Sequence, residues 1–365
     1  MADEPGMKRV AVIGGGYLGS ELAKALEGSL NVSLIERADS FTHAPAMIRA
    51  MVDPSLLNQA LIPYDQLLTK GRVINGHATT IEADGVLLSD GSKIEADYIV
   101  LATGSGNLAP FKSTSGDIDA LKAANAEWHR ALVAAQSIAI IGAGAVGTEL
   151  AGEIASAMPD KSVTLISSDD ALFPGLPQKL GGSLLAKLQA MKVDVILGER
   201  AAEIPAGDAP SGGSVTLISG KTINADLIVP AIGARVSTAL TDQLPGVKHG
   251  ADRRVVTDQW MRPSSLPNVF AAGDIADNGD HMTIVGISRQ VPWLAGLLKS
   301  AADGKSVEDQ KPYKPWGKAP ILLPLGPKRG SSFLMIATFG DWLTSMMKGR
   351  DLFISKYQKT FGRKT

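Results

Sequence analysis

Gly14, Gly16 and Gly19 stand between an apolar run, Val10–Ile13, and a helix-patterned segment carrying Leu18, Leu22, Ala25 and Leu26. A second apolar run, Val32–Ile35, ends on Glu36, 22 residues after Gly14. Glycines so spaced suit the binding of a dinucleotide. Gly14 permits a tight turn, Gly16 lets backbone approach a pyrophosphate, and Gly19 lets a helix lie close on a strand. The anion would meet unpaired N–H groups at the positive end of a helix. An acid about 20 residues on is placed to accept from a ribose hydroxyl, which assigns Glu36. Tyr17 and Leu18 inside the turn, and Arg37 beside the acid, are grouped with the same site.

The pattern then repeats. Ser137–Ile141 is an apolar run, followed by Gly142, Gly144, Val146 and Gly147 and a helical stretch over Thr148–Met158. The next strand, Ser162–Ile166, ends at Ser167. Each copy closes on a strand and a glycine, through Ala102-Thr103-Gly104 and Ala231-Ile232-Gly233, 90 and 91 residues after its first glycine. The hairpin glycines Gly91 and Gly220 lie at offsets of 77 and 78. Register kept over such a length marks two copies of one unit. The fold class expected is α/β, with two Rossmann-like dinucleotide-binding domains and a short C-terminal domain. Boundaries are expected at 7–115 with 250–305, at 116–249, and at 312–365. Ser167 replaces the acid of the first copy, Asp169 and Asp170 would repel a phosphate, and the first basic residue is Lys179. The spacing therefore leans to NADH, with NADPH tolerated.

Two further features bear on the site. Asn268–Ala271 delivers Gly273 and Asp274 to a sharp turn. In two-dinucleotide flavoproteins a Gly-Asp so placed sits against the flavin ribitol, Asp274 accepting from a hydroxyl; the alternative is a common turn dipeptide. Arg49, in the segment RADSFTHAPAMIRA, reaches either a phosphate or the flavin edge, or else is a solvated helix arginine.

Composition narrows the classes. The 365 residues suit about two domains of ~150 each. Lys and Arg total 36 against 37 Asp and Glu, so no nucleic-acid partner is expected. There is no cysteine, which excludes disulfides and thiol redox relays. The five histidines are scattered, with no helix-spaced pair, and metal catalysis is not expected. No signal peptide, N-myristoylation site (residue 2 is alanine) or transmembrane segment is read, so a cytoplasmic location is expected. From Lys328 to Lys364 eight basic residues face two acidic ones, interleaved with Phe333, Met335, Phe339, Trp342, Met346, Met347 and Phe353. That mixture suits peripheral contact with a membrane or lipid-droplet surface, or a small capping domain that turns its aromatics inward. Monomer and homodimer stay open.

With VIGGGYLGSELA, VLATGS, IIGAGAVGTELAGEIA, VFAAGDIAD, YKPW and KGRDLFISKYQKT in place, the chain resembles the pyridine-nucleotide-disulfide oxidoreductase superfamily. Within it, the likeness is to the apoptosis-inducing-factor-like branch and its ferroptosis-suppressor group, similar in turn to type II NADH:quinone reductases. The resemblance implies a flavoprotein that takes hydride from NADH or NADPH onto FAD and reduces quinones such as ubiquinone or vitamin K. It also implies Glu149 near the nicotinamide, Lys112 near the flavin, and Lys348 and Phe353 bordering the flavin–quinone site. On residues alone, Glu149 is equally an exposed helix acid, the lysines solvated and Phe353 a core aromatic. Two other activities stay open: a soluble NAD(P)H reductase of a small redox protein or of monodehydroascorbate, and a flavin-bearing redox-sensing or cell-death binding protein.

Overall fold

The computed structural model describes residues 6–106, 110–113, 115–232 and 235–363. The first copy opens with β1 (Arg9–Ile13), α1 (Tyr17–Leu26) and β2 (Asn31–Glu36). It continues through α2 (Ala44–Ala50), β3 (Arg72–Asn75) and β4 (Tyr98–Leu101). After α3 (Ile118–Ala134) the second copy runs β5 (Ser137–Ile141), α4 (Ala145–Ala157), β6 (Ser162–Ile166) and α5 (Gln178–Ala190). It ends with β7 (Val193–Ile196), β8 (Ser211–Thr216) and β9 (Thr222–Pro230). The chain then returns to the first sheet with β10 (Val269–Ala271) and α6 (Ile284–Ala302).

The first sheet has the order β10-β4-β1-β2-β3, parallel throughout. The second has the order β7-β6-β5-β9-β8, parallel except for β8 at its edge. Parallel strands are covered on both faces, hence their unbroken apolar runs. Val10 and Val12 pack toward α1 and α6 with Leu22 and Leu294, while Ala11 and Ile13 face the opposite layer with Val86 and Leu88. That alternation is the two-residue period of a strand.

The tail is built differently. Ile321–Pro324, Gly330–Phe333 and Thr338–Phe339 form a small antiparallel sheet. The last helix, Ile354–Thr360, inserts Tyr357 and is followed by Phe361, both buried in the same core as Val10 and Leu22. The C-terminal segment is thus tied into the first sheet's own core.

Candidate dinucleotide cleft

The glycine turns explain themselves by what a side chain would strike. Gly14 sits at φ 103°, and a Cβ there would lie 2.4 Å from the Ala102 carbonyl oxygen. A Cβ on Gly19 would lie 1.8 Å from the Gly14 oxygen. Gly16 is the opposite case, because a Cβ there meets no atom within 4 Å. It opens α1 without a side-chain cap, and no acid stands in the helix's first turn. The second copy matches: Gly142 has φ 108° and would strike the Ala231 oxygen at 2.7 Å, Gly147 the Gly142 oxygen at 1.9 Å. Gly144 again faces open space, at the uncapped start of α4. Both helices therefore keep their first N–H groups for an anion.

A cleft of ≈ 680 Å³ runs along the first copy. Gly14, Gly16, Tyr17, Leu18, Glu36 and Arg37 line it, as do Ala102, Thr103, Gly104, Lys112, Gly273 and Asp274. The Glu36 carboxylate accepts from the Gly15 N–H at 2.6 Å and the Ala38 N–H at 3.0 Å, which fixes it at the mouth of the strand. Asp274 follows Gly273, whose φ is 77°. Its carboxylate accepts from Ser105 Oγ at 2.6 Å, and Lys112 Nζ lies 3.7 Å away. An acceptor with a cation beside it thus faces the cleft. These residues fit FAD: an open anion cradle, an acid for a ribose and a second acceptor further along.

In the second copy Ser167 is buried and its Oγ accepts from the Asp169 N–H at 3.2 Å. Val146 is half-buried in the first turn of α4, and Asp169 and Asp170 are exposed. Gly233 lies outside the described residues.

Glu149, Lys348, Phe353 and Arg49 do not line this cleft, and Arg49 is no solvated helix arginine. It is buried and makes a two-pronged pair with Glu153, Nε at 2.9 Å and Nη2 at 2.8 Å. One turn earlier on α4, Glu149 is buried against Lys348 Nζ at 2.6 Å, and Lys348 also donates to the Leu322 carbonyl at 3.2 Å. Glu149 is therefore no solvated helix acid. Burial pushes the carboxyls of both Glu149 and Glu153 up, and their cationic partners offset this only in part. Two acids four residues apart on one helix face thus clasp a cation from α2 and a cation from the tail.

Lys348 reaches inward because it sits in a π-turn, Ser345–Gly349, whose extra residue rotates the helix. Such turns concentrate at functional sites. The chain then runs through two consecutive left-handed residues, Leu352 (φ 53°) and Phe353 (φ 65°), a costly conformation for side chains of this size. It aims the Leu352 carbonyl at His43 Nε2, 2.6 Å away. His43 Nδ1 accepts from the Tyr17 hydroxyl at 2.9 Å, so the tail is hydrogen-bonded through His43 to a residue of the cleft. Burial depresses the imidazole from 6.5 to about 4, leaving it neutral. Phe353 is half-buried and packs on the first sheet's core.

Sequence reasoning missed Glu153, His43 and Ser105. The Glu149–Glu153 spacing on one helix face was a usable signal for the first. His43 and Ser105 gave none, since their partners lie 309 and 169 residues away.

Two sheets, parallel but for one edge strand of the second, each with an uncapped glycine turn at its strand ends, define a two-dinucleotide fold. The chain belongs to the family described as pyridine nucleotide-disulphide oxidoreductase, which matches residues 1–104 and 63–292. It is 32% identical to apoptosis-inducing factor homolog B of Dictyostelium discoideum, over 96% of each chain. It is 28% identical to ferroptosis suppressor protein 1 of Homo sapiens, over 98% of this chain and 96% of the relative. Among solved structures it superimposes on NDH2 from Plasmodium falciparum in complex with NADH at a TM-score of 0.73 and 12% identity, covering 98% of this chain and 99% of the other. The sulfide:quinone oxidoreductase of Aquifex aeolicus gives 0.72 and 19% identity, covering 98% and 92%. The chain is an NAD(P)H-dependent flavin oxidoreductase with FAD and NAD(P)H as its cofactors.

Proposed function

We propose that this chain is an NAD(P)H:quinone oxidoreductase acting at a lipid–water interface, the first copy holding FAD in its cleft and the second copy taking NADH or NADPH at its glycine turn. The observation that carries the quinone reading is the tail. Met335, Ile336, Phe339, Trp342, Met346 and Met347 are exposed, Ile336 at 92% and Trp342 at 74%, while Lys348 and Leu352 of the same segment are buried and bonded to Glu149 and His43. An apolar surface with basic neighbours suits an interface crowded with hydrophobic acceptors. The chain has no cysteine for disulfide or sulfide chemistry. Among the described residues no helix is long and apolar enough to cross a membrane. Relatives named ferroptosis suppressor protein 1 and the NDH2 fold neighbour lend support.

The residues divide the work. Gly14, Gly16 and the first turn of α1 bind the FAD pyrophosphate, Glu36 its ribose, and Asp274 a ribitol hydroxyl, with Lys112 lending positive charge nearby. Gly142, Gly144 and Gly147 do the same for the nicotinamide nucleotide, with Val146 and Ser167 beside them. The chemistry that bound FAD would supply is that of a hydride acceptor and two-electron donor. Tyr17 and Leu18 wall the cleft, and Glu149 with Lys348 holds a proton between two buried groups at the junction of second copy and tail. Positioning and exclusion of water are the protein's share of the catalysis.

Anaerobic oxidation of NADH by the purified protein, with a water-soluble quinone as acceptor, tests the activity. Turnover with quinone is expected; flavin reduced by NADH but never reoxidised by quinone would refute the acceptor. Trp342→Ser with Ile336→Ser should weaken cosedimentation with anionic phospholipid vesicles by roughly tenfold, since each removes a large apolar contact. Unchanged binding would remove the tail from the interface.

A further inference from the structure

The Tyr313–Trp316 segment, YKPW, in the connector between α6 and the tail, plays no part in the cleft described so far, yet Tyr313, Pro315 and Trp316 are each held by a specific contact. Tyr313 is buried, its ring edge-on to Trp293 at 5.2 Å, and Arg289 lies over the Trp316 ring at 5.3 Å. Gly279, at φ 89°, meets Pro315 so closely that a Cβ would lie 2.6 Å from its ring. All of this converges on Asp280. One carboxylate oxygen accepts from the Trp316 N–H at 3.0 Å; the other accepts from the Tyr313 hydroxyl and from Gln290 Nε2 at 3.1 Å. Gln290 then accepts, through Oε1, from the Gly273 N–H at 2.8 Å. Arg254 holds the Asp280 carbonyl at 3.0 Å. Asp280 and Gln290 are only 3% and 2% exposed.

The chemistry of the ladder gives it a direction. An ionised carboxylate only accepts hydrogen bonds. Asp280 therefore forces the Gln290 amide to turn its nitrogen outward, toward the carboxylate, and its oxygen inward, toward Gly273. Were residue 280 neutral and able to donate, the amide would reverse and set its NH₂ against the Gly273 N–H. Gly273 is in the left-handed region and carries Asp274 into the cleft, so its amide fixes the turn that presents Asp274.

We propose that Asp280 and Gln290 are positioning residues for the Gly273–Asp274 turn, and that the docked YKPW connector completes their setting. The connector is thereby part of the FAD site at second hand, which rests on the proposal that Asp274 meets the flavin.

The test uses the full-length protein and measures the FAD dissociation constant and the flavin midpoint potential. Gln290→Met removes the acceptor for Gly273, and Asp280→Asn sets an NH₂ against one of the donors the carboxylate accepts from, the Trp316 N–H or Gln290 Nε2. A lost buried hydrogen bond suggests that each weakens FAD binding on the order of tenfold and shifts the potential. Because both act through one amide, the double variant should match the single ones within about threefold instead of falling about a hundredfold. Tyr313→Phe keeps the ring and deletes one donor to Asp280; it should weaken FAD about threefold, and it decides the matter if the stronger variants fail to fold. Wild-type FAD affinity and potential in the variants, or effects that multiply in the double variant, would overturn the inference while leaving the flavin reading intact. A wild-type chain that takes up no FAD would remove that reading instead.

Discussion

Replacing Lys348 by methionine isolates the buried clasp between tail and second sheet. The ammonium lies 2.6 Å from Glu149, both side chains being at most 10% exposed. Burial pushes the Glu149 carboxyl up, Glu153 one turn along α4 adds to this, and Lys348 is the chief group opposing them. Deleting one partner of such a pair strands the other charge, at a cost of about 3–5 kcal/mol. The stranded carboxyl escapes by taking a proton, so its native pKa rises further above its unfolded value. A carboxyl raised in the folded state contributes stability below its unfolded pKa, and that contribution is lost as pH rises through the folded one. Lys348→Met should therefore be much less stable than wild type in urea at pH 8 and nearer to it at pH 5. Adding Glu149→Gln removes the stranded charge and should restore most of the loss, because a neutral pair of similar volume is tolerated where a lone charge is not. Equal stability of Lys348→Met and wild type at pH 8, or a double variant carrying the sum of two losses, would refute the clasp.

Gly16→Val should fold normally, since its Cβ meets nothing, yet lose FAD binding by at least about a hundredfold through collision with the pyrophosphate; retained yellow colour on gel filtration would contradict that. Gly19→Ala places its Cβ 1.8 Å from a backbone oxygen and should instead lower stability itself, read as a reduced urea midpoint. His43, depressed from 6.5 to about 4, adds stability that is complete above pH 6.5 and is lost as pH falls through 4. The difference is about 3 kcal/mol, and His43→Gln should flatten that part of the pH–stability curve.

What was legible in the sequence was what is local. The strands Ser137–Ile141 and Ser162–Ile166 end where their apolar runs end, because strands covered on both faces need uninterrupted apolar side chains. The glycine turns were readable because each glycine answers a backbone clash a few residues away. Helix α3 went unread although Asp117 caps it, its carboxylate accepting from the Ala120 N–H at 2.8 Å, and Ile118, Leu121, Trp128 and Leu132 follow at helical spacing. Its segment lies between the two copies and belongs to neither glycine pattern. The partners of Arg49 and Lys348 were hidden for a different reason: they lie 104 and 199 residues away, and only the packing of α4 between α2 and the tail brings them together. The tail's aromatics divided in a way composition cannot express. Tyr357 and Phe361 are buried in the first sheet's core while Phe339 and Trp342 are exposed.

The visible absorption spectrum of the purified chain, before and after anaerobic NADH, bears most directly on the duplicated cradle. Flavin bands at about one FAD per chain that bleach on adding NADH are the predicted result. A colourless protein that stays colourless after incubation with FAD would contradict it.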